Sequence, residues 1–273
     1  MLFSHRGPSK SFCQDQMKPI VITFATKKYL NAARFQGLLC NLFGVEHVIY
    51  TPTSLPDDLL LYCSRNSRGF GFWRWKPFII LDSLNKYYVD YRVVYMDSTV
   101  LPMPSFFKSL SDLFFVPINL FSDPRSWCKP LPVEGSKMID FLINGNVPDA
   151  SVLSFVPSEY SLSLIKAWKA LCDDHDYLSD SIDYSPSVKY AYVDHRHDQS
   201  LLGYICNQSG IRLSASESQF GAFKPSLFHH REDLASCVSF LKFFPKFAVF
   251  SFCYIFRVNI KCVSVPKAIS RIS

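Results

Sequence analysis

Ile20–Ala25 (IVITFA) is a short apolar run rich in β-branched residues, and Val45–Tyr50 is a second strand-like run. Between them Phe35, Leu38, Leu39 and Leu42 recur at i, i+3, i+4 and i+7, the spacing of one helix face. Thr26 stands where an N-cap would open that helix, and Gly44 where a C′ glycine would end it. Strand, helix and strand within about thirty residues make a βαβ unit. The chain is therefore expected to open as an α/β fold.

Arg68–Pro77 (RGFGFWRWKP) crowds four rings and three cations around two glycines. Pro77 suits the first position of a helix whose face would be Phe78, Leu81 and Leu84 or Asn85, leaving RGFGFWRWK as the loop before it. A further strand, Arg92–Met96, stops at Asp97-Ser98-Thr99. Ligands of open α/β sheets collect at the carboxyl ends of strands, which places Asp97 where a metal or a sugar hydroxyl could be met. A turn-forming or capping carboxylate is the plainer reading.

From Pro102 to Pro157 the sequence is punctuated by prolines and reads as loops and short strands around a cleft. A helix follows from Ser158, with Leu164, Ile165, Trp168, Leu171 and Cys172 on one face, and runs into Asp173-Asp174-His175-Asp176. Those four read as a solvated helix terminus, because adjacent positions point apart and cannot converge on a metal. Asp194–Ser200 (DHRHDQS) suggests a helix beginning near Asp198, which an acid there would cap. His195, His197, His229 and His230 could in principle assemble a zinc site, but H-x-H and H-H pairs are nonspecific.

With 48% apolar and 19% charged residues, the chain can bury a sizeable core. Its net charge of +6 is spread along the sequence, which suits a phosphate, a nucleotide or an anionic head group better than duplex DNA. The nine cysteines form no CxxC pair, and the N-terminus lacks an apolar signal region, so reduced thiols in a cytoplasmic protein are expected. Residues 240–260 are apolar and basic, and two readings stand for them: a peripheral segment in a lipid interface, or a buried element closing the domain.

Four stretches together carry a resemblance to a known family: VITFAT (Val21–Thr26), GFGFWRWKPFIIL (Gly69–Leu81), VVYMDST (Val93–Thr99) and HRHDQSLL (His195–Leu202). A fifth, fainter one is PDASVLSF (Pro148–Phe155). In this order they resemble nucleotide-sugar glycosyltransferases of the GT-A fold, especially the glycogenin- and galactosyltransferase-like group and its relatives in polysaccharide biosynthesis. The resemblance implies a Rossmann-type open mixed sheet flanked by helices over residues 19–235, between an N-terminal extension (1–18) and an apolar, basic C-terminal tail (236–273). It assigns Thr23, Ala25 and Thr26 to the base and ribose of the donor. It puts Arg74 or Lys76 near the diphosphate and Trp75 near the base or sugar. It gives Asp149, Ala150 and Ser151 backbone and side-chain contacts to the donor, Asp198 the sugar hydroxyls, and Gln199 a place near the anomeric carbon.

The family's D-x-D signature holds Mn²⁺ or Mg²⁺ against the diphosphate, but here Asp97-Ser98-Thr99 lacks the second acid. Either Asp97 binds the metal with His229, His230 or water filling in, or lysine and arginine serve instead. The implied reaction is glycosyl transfer to a glycan, polysaccharide or lipid-linked hydroxyl, with a leaning towards retention. Two rivals differ in kind. A metal-dependent phosphohydrolase would use Asp97, Asp173, Asp174, His195 and His197. A noncatalytic binder of single-stranded nucleic acid would stack bases on Trp73 and Trp75, though no repeated aromatic-basic unit supports it.

Overall fold

A computed structural model describes residues 17–88, 90–110, 112–119, 122–131, 133–180, 192–214 and 227–229. The expected tail, its interfacial segment at 240–260, and His230 lie outside the described residues. The expected opening is present. Strand β1 (Lys18–Phe24), helix α1 (Leu30–Leu42) and strand β2 (Glu46–Tyr50) follow one another, and the two strands pair in parallel from Ile20↔Glu46 to Phe24↔Tyr50.

After helix α2 (Asp57–Arg65), the single turn α3 (Gly69–Phe72) and helix α4 (Trp75–Lys86) comes strand β3 (Tyr91–Met96), parallel to β1 on its other side. Strand β4 (Val100–Pro102), helix α5 (Pro104–Ser109), strand β5 (Phe114–Phe115) and helices α6 (Pro124–Trp127) and α7 (Gly135–Asn144) lead to strand β6 (Val152–Phe155). Strand β6 runs antiparallel to both β3 and β5, so the five-stranded sheet is mixed, in the order β2-β1-β3-β6-β5. Helices α8 (Glu159–Asp173), α9 (His175–Leu178) and α10 (His197–Gln208) complete the α/β fold, and strand β7 (Leu227–His229) pairs with β4.

Strand alternation divides the core between the two faces of the sheet. Ile20, Ile22, Phe24, Val93, Tyr95, Leu153 and Phe155 join a cluster with residues of α4, α7, α8 and α10, while Val21, Val94, Met96 and Val152 pack with residues of α1, β4 and α5. Helix α8 buries the face read from sequence, and Ser158 caps it by accepting from the Ser161 amide at 3.0 Å.

Helix α1 reverses its expected orientation. Leu38 and Leu42 are 55% and 70% exposed, and the buried face is Ala32, Ala33, Gln36, Gly37 and Cys40. Small side chains let this helix lie close to the sheet: a Cβ on Gly37 would sit 2.7 Å from His47 Nδ1 on β2. Gly44 does end the helix, with φ 72°. Thr26 precedes a short 3₁₀ turn and makes no side-chain cap bond. Helix α7 occupies part of the region expected to be loops and short strands.

Helix α4 begins at Trp75, so Pro77 is its third residue rather than its first. Proline fits there because the first-turn amides have no intrahelical partner. The face is also shifted: Lys76, Ile79, Ile80, Ser83 and Leu84 are buried, with Phe78 and Leu81 at its margin. Before it, Gly69, Phe70, Gly71, Phe72 and Trp73 all have positive φ, between 50° and 81°, making a turn of left-handed backbone. Each non-glycine residue there costs on the order of 1–2 kcal/mol. Gly71 is indispensable sterically as well, since a Cβ would lie 2.7 Å from the Cys63 Cα. Gly71→Ala is expected to lower stability by about 2–3 kcal/mol, read as a fall in the urea midpoint at unchanged slope.

Candidate functional site

Lys76 is the second residue of α4, and its side chain is only 2% exposed. Its Nζ lies 3.0 Å from Asp198 Oδ2, 3.8 Å from Asp97 Oδ1 and 3.0 Å from the Ala150 carbonyl, to which it donates a hydrogen bond. The Asp198 contact is one of charge, off the axis of a directed hydrogen bond. Nζ also lies 5.1 Å from the centroid of the Tyr95 ring, and the Tyr95 hydroxyl donates to Asp97 Oδ1. An ammonium thus sits between two carboxylates at the carboxyl end of β3, where open α/β sheets meet their ligands.

The two acids differ in access. The Asp198 side chain is 3% exposed, while that of Asp97 is 34% exposed and forms the open flank. Burial lifts the Asp198 carboxyl to about 6, against the downward pull of Lys76 and with some help from Asp97. Burial works against the Lys76 ammonium, but Asp198, Asp97 and Asp149 together hold its pKa above the ordinary lysine value. At neutral pH the pair is predominantly ionic.

Backbone bonds fix both acids. The Asp97 amide donates to the Ser151 carbonyl at 2.8 Å, and the Val100 amide closes the Asp97 turn at 2.9 Å. Gln36, fully buried on α1, donates from Nε2 to the Asp97 and Val100 carbonyls at 2.9 and 2.5 Å. Its Oε1 accepts from His47 Nε2 at 2.9 Å, and burial holds His47 neutral with a pKa of about 4. On the other side, Trp168 Nε1 donates to the Asp198 carbonyl at 2.9 Å.

The structure brings Lys76, Asp97, Ala150 and Asp198 together, with Ser151 adjoining. Asp149 Oδ1 accepts from the Ser151 amide at 3.1 Å, which shapes the turn before β6. Trp75 is buried and stacks on Phe24, with centroids 4.1 Å apart, so it is a wall of the core rather than an open platform for bases. Ala25 is buried and donates its amide to the Tyr50 carbonyl, while alternation places Thr23 with Val21 on the α1 side of the sheet. Thr26 is half-buried beyond β1.

Arg74 is engaged elsewhere: its Nε donates to Asp173 Oδ1 at 3.1 Å and its guanidinium lies 4.4 Å from the Tyr62 ring centroid. Asp198 does not cap α10 as expected, because the helix starts one residue earlier, at His197. Gln199 follows in its first turn. Gln199 Oε1, Ser151 Oγ, Trp75 Nε1 and Thr23 Oγ1 are buried without a hydrogen-bond partner in the protein, while Asp198 Oδ2 has its ion-pair contact with Lys76. Buried polar atoms normally find partners, so this unused capacity is what a bound molecule or water would satisfy.

Among the described residues, the carboxylates other than Asp97 and the histidines of the phosphohydrolase reading are engaged elsewhere. Asp173 pairs with Arg74 and Lys169, and Asp174 caps α9 through the Asp176 amide. His195 and His197 are buried, bonded to the Tyr177 and Leu178 carbonyls, and His195 is held neutral by burial with a pKa of about 3. Among the described residues no three His, Cys, Asp or Glu side chains are grouped to hold a metal. Strand β7 sets the His229 backbone opposite Val100, three positions past Asp97. Tyr95 and Gln36 join the site from outside the candidate residues that the sequence offers. Tyr95 had a signal, lying two residues before Asp97 and so on the same face of β3, whereas a lone buried glutamine has none.

No family model matches the chain, and no curated protein matches it. Among solved structures it is similar to a glycosyltransferase involved in the glycosylation of the major capsid of PBCV-1. The identity is 11%, the TM-score 0.35, and the match covers 71% of this chain and 99% of that one.

Proposed function

We propose that this protein is a glycosyltransferase that moves a sugar from a nucleoside-diphosphate sugar to a hydroxyl acceptor. One observation carries the reading: the five stretches that resemble the family, scattered over some 180 positions between Val21 and Leu202, meet at one end of the sheet. Phe24 stacks on Trp75, Lys76 binds Asp97, the Ala150 carbonyl and Asp198, and the Asp97 amide binds the Ser151 carbonyl.

In the reaction the acceptor oxygen bonds to the anomeric carbon as the bond to the diphosphate breaks. Positive charge grows on an oxocarbenium-like sugar, and two carboxylates around one ammonium leave a net negative field to stabilise it. Lys76 makes burial of Asp198 tolerable and holds both acids in place. Gln199 Oε1 retains acceptor capacity for a sugar hydroxyl.

The Lys76 ammonium is taken up by Asp198, Asp97 and the Ala150 carbonyl, and Arg74 is paired with Asp173. Neither is therefore free to take up the leaving group's charge. The open flank of Asp97 fits a divalent cation of the kind held by one carboxylate, with substrate phosphates and water supplying the other ligands. Bound there, Mn²⁺ or Mg²⁺ would neutralise charge on the departing diphosphate. In this reading Thr23, Ala25 and Thr26 stay assigned to the nucleotide, and His229 to the flank of Asp97.

A thermal-shift panel of UDP-, GDP- and CDP-sugars, with and without Mn²⁺, tests the reading. One nucleotide class is expected to stabilise the fold, by about 2.7 kcal/mol at a hundredfold excess over its Kd, and more with Mn²⁺ than without. No response to any of the three would count against it.

A further inference from the structure

His197 opens α10 with φ 41°, a left-handed conformation that a non-glycine side chain adopts only when its surroundings impose it. Its ring is buried and stacks on Phe72, with centroids 4.9 Å apart and planes at 30°, and it lies against Trp73 at 5.7 Å. Phe72 and Trp73 are the last two residues of the left-handed turn at Gly69–Trp73. Two strained segments, well over a hundred positions apart, therefore meet ring to ring. Each leads straight into a site residue: Lys76 follows Trp73 by three positions, and Asp198 follows His197 directly.

The stack is anchored from outside. His197 Nδ1 donates to the Leu178 carbonyl at 2.8 Å, which fixes the ring's orientation, while Nε2 faces Asp180 Oδ1 at 3.5 Å. Arg68, immediately before the left-handed turn, pairs with both Asp180 (3.1 Å) and Asp194 (2.5 Å). Packing a neutral histidine among rings does not in itself call for left-handed backbone. Strain on both sides of the contact is unexplained by packing, and it is explained if the contact sets the relative placement of the two helix starts.

We propose that His197 is a positioning residue for the Lys76–Asp198 pair, its ring clamping the left-handed turn to the start of α10 so that ammonium and carboxylate are held at contact distance. This deepens the functional reading above, because it names what keeps that site assembled.

The test reads Lys76 directly and uses no substrate. A buried, paired ammonium exchanges its protons slowly enough to give a ¹⁵N–¹H₃ NMR signal, which Lys76→Arg assigns by its disappearance. His197→Asn tolerates positive φ but removes the ring, and should speed exchange of the Lys76 ammonium at least ~tenfold. His197→Phe keeps the ring and should stay within ~twofold of the unaltered protein. Phe72→Leu removes the other half of the stack and should match His197→Asn, which serves if the latter does not fold. A merely structural histidine would lower the urea midpoint in these variants and leave the exchange rate alone. That result, or equal rates in His197→Asn and His197→Phe, overturns the proposal and leaves the functional reading standing. Absence of any protected Lys76 signal in the unaltered protein would overturn both.

Discussion

Asp198→Asn is expected to abolish glycosyl transfer, lowering turnover by at least about a thousandfold, while nucleotide binding changes by no more than about tenfold. The substitution keeps the shape of the side chain and removes the charge that the proposed reaction sets against the sugar. In the proposed reading the nucleotide is held at the β1 end and the Asp97 flank, which the change leaves intact. The comparison is made by following diphosphate release and product mass with the sugar nucleotide that most raises the melting temperature. The proposed transfer should also slow in the unaltered protein as pH falls through about 6, where the buried Asp198 carboxyl takes up its proton and its charge disappears. A variant that turns over normally would remove Asp198 from the mechanism, whatever its place beside Lys76.

The parts of the fold legible in the sequence were those written in apolar spacing at the sheet. The parallel β1–β2 pair, the end of β3 at Asp97 and the buried face of α8 follow from alternation and from the i, i+3, i+4 pattern. Helix α1 was misoriented because periodicity counts leucines, whereas this helix is held down by Ala32, Ala33 and Gly37 and by a glutamine whose polar atoms are all bonded. The alternating glycines of GFGFW announced unusual backbone. They could not announce that Phe70, Phe72 and Trp73 would adopt the same left-handed conformation, since that depends on a partner near residue 197. The pieces of the site were likewise visible as motifs. Their closure around Lys76 was not, because the expectation sent its charge to a phosphate and the fold turns it on Asp97 and Asp198.

That closure makes Lys76 the residue whose loss the protein should tolerate least. Lys76→Met fits the stem of the lysine and deletes its charge, leaving Asp198 buried beside Asp97 with no cation. Breaking a buried pair from one side costs about 3–5 kcal/mol. The sign of its pH dependence follows from Asp198, whose carboxyl burial already lifts to about 6 in the fold, against about 3.9 for an unfolded aspartate. An acid raised by folding contributes stability that is complete below its unfolded value and is lost as pH rises through its folded one. Removing the ammonium takes away the main downward pull on that carboxyl, so its folded value climbs further and the window of loss widens upward from about pH 4 past 6. Lys76→Met should therefore have a clearly higher urea midpoint at pH 5 than at pH 8. The double variant Lys76→Met/Asp198→Asn should recover much of the deficit and show little difference between the two pH values. If the single variant is as stable at pH 8 as at pH 5, the carboxylate beside Lys76 is not buried in the working protein, and the electrostatic argument for the site fails with it.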